Sequence, residues 1–215
     1  MNRFRSFLML LGVIAVSFGD ATEPPLHKKD TASLLRDVIQ EINEMFFFNS
    51  QLRLELLKNH PETIPLLVEW EYQDWHHYDT SLTREKLTDG FNHSLNDDRL
   101  PLAFVVLKDS VPVGVISLDD KSEPEIADLE DGNPWGGSFH VIPEERNQGI
   151  GQNMAQALII IAKKLGYEKI HFFTSNFQVV HWYTERGAKI IDTRSFRGHV
   201  ITTLEYNLLT RSVNR

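Results

Sequence analysis

Apolar residues recur at helical spacing once the chain reaches Thr31. Leu34, Leu35, Val38, Ile42, Met45 and Phe46 fall on one face, which predicts a helix capped by Asp30 or Thr31. A second helical stretch is predicted from Leu52 to Lys58, stopped by Asn59, His60 and Pro61. Ile64 to Trp75 reads as a third helix. Thr83 to Leu95 reads as a fourth, with Ser81 or Thr83 as its cap. The pattern then changes. "LAFVVLKD" (Leu102 to Asp109) and the following "SVPVGVISLDD" are apolar, β-branched and joined by a tight turn, so they read as a hairpin. Gly136 to Ile142 is a further strand candidate. Gln152 to Leu165 returns to helical spacing, with Met154, Leu158, Ile161, Ala162 and Leu165 on one face. Lys163 and Lys164 suit its negative end, and Gly166 follows as a terminator. Lys169 to Ser175 reads as a strand and Val179 to Arg186 as a short helix ended by Gly187. "AKIIDTR" and "HVITTLEYNL" form a last hairpin around "SFRG". The order is helices, hairpin, strand, helix, strand, helix, hairpin. A strand–helix–strand crossover among antiparallel pairs predicts an α/β domain, a mixed and mostly antiparallel twisted sheet flanked by helices.

The N-terminus departs from this pattern. Arg3 and Arg5 precede "FLMLLGVIAVSFG", a thirteen-residue, largely apolar run. It is shorter than the roughly 20 residues that span a bilayer and resembles the core of a secretory signal peptide. Ser17 and Gly19, or Gly19 and Ala21, are small enough to flank a cleavage site. An apolar leader packed on the domain is the alternative. "DATEPPLHKKD" then reads as a linker. The expected organisation is a leader over 1–22, a linker with an extra helical segment over 23–60, and one domain over 61–210.

Composition narrows the chemistry. The formal charge of −8 disfavours a nucleic-acid coat and suits cationic partners. The absence of cysteine excludes disulfides, a thiol nucleophile and thiolate metal sites. Adjacent His76 and His77 lack metal-ligand spacing on a helix, so no metal is expected.

The most informative stretch is "VIPEERNQGIGQNM", Val141 to Met154. It lacks the third glycine of the dinucleotide fingerprint and the Gly-Lys-Ser/Thr of the P-loop. What remains is Arg146-x-x-Gly149-x-Gly151, after a strand and into a helix. Glycines there expose backbone N–H groups, and the helix start adds unsatisfied donors and partial positive charge. That arrangement suits a pyrophosphate. A plain strand-to-helix turn is the competing reading.

"FHVIPEERNQGIGQNMAQALIIIAKKLGYEKIHFFT" and "WYTERGAKII" together resemble the acyl-CoA-binding core of the GNAT superfamily of N-acetyltransferases, whose motif is Q/R-x-x-G-x-G/A. Asn147 and Gln148 depart from the usual glycine and basic residue. The resemblance implies acetyl-CoA as cosubstrate. Its pyrophosphate would lie on Arg146, Asn147, Gln148, Gly149, Ile150, Gly151 and Gln152. Its pantetheine would run beside His140 and Val141, where two strands splay, with Asn176 as a polar contact. Tyr183 matches the family's proton donor to the departing thiolate. The acceptor is an amine of unspecified identity, with Tyr72, His76 and Tyr78 as candidate contacts. An amine of pKa near 10.4 must lose a proton before it attacks, a handicap of about 4.6 kcal/mol at neutral pH. His140 is the first candidate base. Asp119, Asp120, Glu130 or Asp131 acting through water is the alternative. A domain that binds acyl-CoA without turnover is the competing function. Acetyl-CoA implies a cytoplasmic setting, at odds with a cleaved leader.

Overall fold

The computed structural model describes residues 28–47 and 51–209; the leader over 1–22 and most of the linker lie outside them. The elements are α1 (Lys28–Phe46), β1 (Leu52–Leu56), α2 (Ile64–Trp75), α3 (Arg84–His93), β2 (Leu102–Lys108), β3 (Val111–Asp119), β4 (Trp135–Val141), α4 (Ile150–Lys164), β5 (Lys169–Thr174), α5 (Phe177–Thr184), β6 (Lys189–Phe196) and β7 (His199–Asn207). The seven strands form one sheet in the order β1-β2-β3-β4-β5-β7-β6. All pairings are antiparallel except β4 with β5, which α4 joins as a crossover.

Both faces of the sheet centre are covered, so β2 is buried on each side. Leu102, Phe104 and Val106 pack with Leu35, Val38 and Ile42 of α1 and Met154, Leu158 and Ile161 of α4. Ala103, Val105 and Leu107 point the other way, into a second cluster with Leu67 and Val68 of α2 and Phe91 of α3.

Leu52–Leu56 is a strand rather than the expected helix, and it brings the sheet's first edge into the segment assigned to the extra helical region. "LRLEL" alternates, and only a period of two buries Leu54 and Leu56 while Arg53 and Glu55 turn outward. The side chain of Asn43 pairs with both backbone groups of Leu54, donating to its carbonyl at 2.9 Å and accepting from its N–H at 2.8 Å. This fixes α1 against the strand. The helix α1 begins at Lys28, so Asp30 and Thr31 lie inside its first turn instead of capping it. Thr83 does cap α3, accepting from Lys86 N–H at 3.3 Å.

Two irregularities shape the middle of the sheet. β4 and β5 share a single registered pair, Trp135 with His171, at the beginning of β4, so the strands part beyond it. β4 also carries an extra residue against β3: Gly137 faces Ser117 and His140 faces Val115, while Ser138 takes φ 46°. Such a bulge bends the strand and re-aims its side chains.

Candidate active site

A cavity of about 1010 Å³ opens where β4 and β5 diverge. It runs from Gly151 and Gln152 at the head of α4, past Tyr183 of α5, to Glu71 and Tyr78 at the α2 side and Arg197 at the tip of the β6–β7 hairpin. Aromatic walls from Trp135, Phe172, Phe173 and Trp182 make the passage largely apolar.

Of the expected cofactor contacts, Gly151, Gln152 and Asn176 line the cavity, while Val141 and Arg146 to Ile150 lie outside its lining. Pro143–Glu145 form a single 3-10 turn, after which Asn147 (φ 61°) and Gly149 (φ 83°) are both left-handed. Asn147 stands where the family usually has glycine, and asparagine tolerates that conformation better than most residues. Gly149 is the N-cap of α4, so the helix starts two residues before the expected Gln152. The first helical bond runs from Asn153 N–H to Gly149 O at 3.0 Å. Among the described residues the N–H groups from Asn147 to Gln152 meet no acceptor. Successive free donors at a helix start form an anion-binding concavity. The Arg146 side chain folds back, its Nε donating to Val141 O at 2.7 Å. Gln148 is turned toward Glu144 O (3.3 Å) and Glu145 Oε2 (3.2 Å). The anion-binding capacity of the loop therefore rests mainly on backbone. Ile150 is buried beneath it, and its side chain anchors the helix start in the core.

Asn176 lies across the cavity mouth, capping α5 by accepting from Gln178 N–H at 2.9 Å. Tyr183 is 6% exposed, stacked on Phe172 with ring centroids 4.7 Å apart. Burial alone pushes its hydroxyl well above the usual range for tyrosine, so it stays protonated.

His140 is directed to the α2 face of the sheet. Its ring stacks on Trp70 at 4.9 Å, its Nδ1 lies 2.6 Å from Asp74 Oδ2, and it is not part of the cavity lining. Tyr72 and His76 stack on each other at 4.4 Å, with the Arg84 guanidinium over Tyr72, also outside the lining. Of the three expected acceptor contacts only Tyr78 lines the cavity, where its hydroxyl accepts from Ser175 Oγ at 3.2 Å.

Two other carboxyl groups take the position expected of a base. Glu71 projects from α2 into the cavity and is 7% exposed. Desolvation first, then the charges of Asp74 and Asp119, push its pKa up to about 8, opposed by a hydrogen bond from Ser138 on the bulge. Asp119, at the end of β3, also lines the cavity and accepts from Ser117 Oγ at 2.7 Å. Desolvation, then Asp120 and Glu123, raise it to about 7. Gly137 makes room: a Cβ there would come within 2.4 Å of Asp119 Oδ2 and 2.8 Å of Ser117 Oγ. The sequence marks Asp119 as one of several acidic candidates. Glu71 carries no such mark, because its neighbours in the chain give no sign of the sheet bulge it faces.

Elsewhere, Asp131, His171 and Glu205 bring ligand-type atoms within 4.8 Å of one another. Lys169 already pairs with both carboxylates, at 3.4 and 3.0 Å. No helix among the described residues is long and apolar enough to cross a membrane.

A divergent parallel pair with a donor-rich loop between the first strand and its helix defines an acyl-CoA N-acyltransferase fold. The model of the acetyltransferase (GNAT) family matches residues 61–188, and the chain belongs to that family. Solved structures agree on the fold. A spermidine N-acetyltransferase chimera from Vibrio cholerae superposes with a TM-score of 0.55 at 16% identity, over 74% of this chain and 96% of that one. A putative acetyltransferase of Salmonella typhimurium, solved with its cofactor acetyl-CoA, gives 0.56 at 12% identity, over 76% and 98%. The loading domain of CurA from Lyngbya majuscula gives 0.58 at 15% identity, over 74% and 99%. Among curated proteins, none matches the sequence significantly.

Proposed function

We propose that this protein transfers an acetyl group from acetyl-CoA to a primary amine by direct attack in a ternary complex. The observation that carries the reading is the run of unpaired N–H groups from Asn147 to Gln152, whose last two residues line the cavity that also holds Tyr183, Glu71 and Asp119. The pyrophosphate lies on that loop, and the pantetheine follows β4 past Val141 into the gap beside β5. The acetyl group then reaches the centre of the cavity, and the amine enters from the α2 side.

The amine arrives protonated. Asp119, raised by burial to about 7, and the ionised fraction of Glu71, raised to about 8, take its proton near physiological pH. The free lone pair attacks the thioester carbonyl carbon, the C–S bond breaks, and the sulfur leaves as thiolate. Tyr183 O–H, kept protonated by its surroundings, donates to the sulfur as it leaves, and the second proton of the attacking nitrogen returns to the Tyr183 oxygen as the amide forms, so the tyrosine ends neutral. His140, bonded to Asp74 and stacked on Trp70, braces β4 against α2 and so positions Glu71 instead of touching the reacting atoms.

The test is release of free CoA thiol on mixing the protein, acetyl-CoA and a panel of alkylamines, with acetyl-CoA affinity measured by calorimetry. Binding with amine-dependent CoA release is the expected result. Binding without release for any amine would make the protein an acyl-CoA-binding module. No binding heat would remove the reading altogether.

A further inference from the structure

The slot between β4 and β5 ends where the strands are still joined. Trp135 and His171 form their registered pair, and His171 N–H donates to Pro134 O at 2.9 Å. One residue further along each strand, Phe172 leans from β5 onto Gly136. A Cβ there would meet the ring, with Cδ1 at 2.6 Å, and Leu158 Cδ2 at 3.0 Å. Only a residue without a side chain lets a ring lie so close to the strand. Phe172 is 5% exposed and packs in the cluster on the α4 face, where it also stacks on Tyr183. Trp135 closes the other face, its ring 5.0 Å from that of His171. Both aromatic side chains line the cavity, so they form the blind end of the slot.

The geometry of attack decides which way an acyl chain runs in this slot. A nitrogen approaches a thioester carbon perpendicular to the plane that holds the sulfur, the oxygen and the acyl chain. On the acetyl-transfer reading, Glu71 and Asp119 draw the amine in from the α2 face, so that plane lies along the sheet. The loop ahead of α4 holds the cofactor at the open end of the slot, and the acyl chain therefore points to the blind end. From the bulge at Ser138 to Gly136 is roughly 7 Å of strand, and the Phe172 ring stands at the end of it.

We propose that Phe172, seated on Gly136, limits the length of the acyl group that the donor can carry. This rests on the acetyl-transfer reading and adds to it the residue that selects the donor. An acetyl methyl stops short of the ring. Each further carbon has to push the ring against Leu158 and Tyr183, which already hold it. Phe173, the next residue, faces the α2 side with Trp75 and Phe196 and takes no part in the selection.

The experiment compares acetyl-CoA, butyryl-CoA and hexanoyl-CoA as donors in the CoA-release assay, with the best alkylamine of the panel as acceptor. The proteins are the wild type, Phe172→Leu, Phe172→Ala and Phe173→Leu. For the wild type, kcat/KM should fall by about 10²-fold or more from acetyl-CoA to hexanoyl-CoA. Both Phe172 variants should narrow that gap by about ten-fold or more, and Phe173→Leu should leave it unchanged. Loss of the stack on Tyr183 slows the Phe172 variants with every donor, and the ratio between donors cancels that loss. Phe172→Leu keeps an apolar side chain and carries the test if the alanine variant does not fold. A wild type that uses all three donors alike overturns the proposal. So does a gap that both Phe172 variants retain, or one that Phe173→Leu narrows equally. Calorimetry of the three donors without amine separates the two readings. Affinity that falls with chain length and recovers in Phe172→Leu, with no CoA release, refutes acetyl transfer and leaves the length limit standing. Release from every donor at one rate does the reverse.

Discussion

Replacing Glu71 by glutamine tests whether a carboxyl group is held against its ionisation for use in the reaction. Its pKa rises from the ordinary 4.5 to about 8. Below pH 4.5 the group is protonated in both folded and unfolded chains and contributes no pH dependence. Between 4.5 and 8 the unfolded chain releases the proton and the folded one keeps it, so stability falls as pH rises, and the loss is complete above 8. At about 1.36 kcal/mol per unit, the full cost at pH 9 is roughly 3–5 kcal/mol. Glutamine has nearly the same shape and no charge to desolvate. The variant should match the wild type at pH 5 and exceed it at pH 9 by that amount, on the order of 10 °C in Tm for a domain of this size. Asp119 is raised in both proteins chiefly by its own desolvation, and its repulsion of ionised Glu71 is part of the cost that glutamine removes. Calorimetric Tm values at pH 5, 7 and 9 measure the difference. The same substitution should lower kcat by about 10²–10⁴, the usual contribution of a positioned acid or base. A Tm difference that does not grow with pH, or a kcat left intact, would refute the reasoning.

Tyr183→Phe keeps the stacking on Phe172, so acetyl-CoA affinity should hold while single-turnover acetylation slows by about 10²-fold or more. Gly137→Ala forces a methyl group against Asp119 and Ser117, and should destabilise by about 1–3 kcal/mol in denaturant melts with a parallel loss of activity. Asn43→Ala removes both hydrogen bonds to Leu54 and leaves a half-buried strand edge unpaired. Urea midpoints should show a loss of about 1–3 kcal/mol, with KM for acetyl-CoA unchanged because α1 is not part of the cavity lining.

The sequence on its own determined the order of the elements from Ile64 onward, because their periodicities record which faces are buried. α4 is the clearest case: Met154, Leu158 and Ile161 predict the face that packs on the sheet, and all three are inaccessible to solvent. It also marked the donor-rich loop ahead of α4, since free N–H donors at a helix start are a local property of Gly149 and its neighbours. Leu52–Leu56 was written in the alternation of "LRLEL", but five residues beside a long helical pattern support either period. Only the open edge of β2 decides between them. What tertiary structure alone decided is the proposed reacting centre. Glu71 and Asp119 are 48 positions apart and meet because α2 crosses the face of a strand bent by the bulge at Ser138. The same crossing turned His140 toward Asp74 and away from the cavity. Local pattern fixes which residues are buried; the packing of distant segments fixes which buried charges lack a partner, and that shortage sets the pKa values on which the chemistry depends.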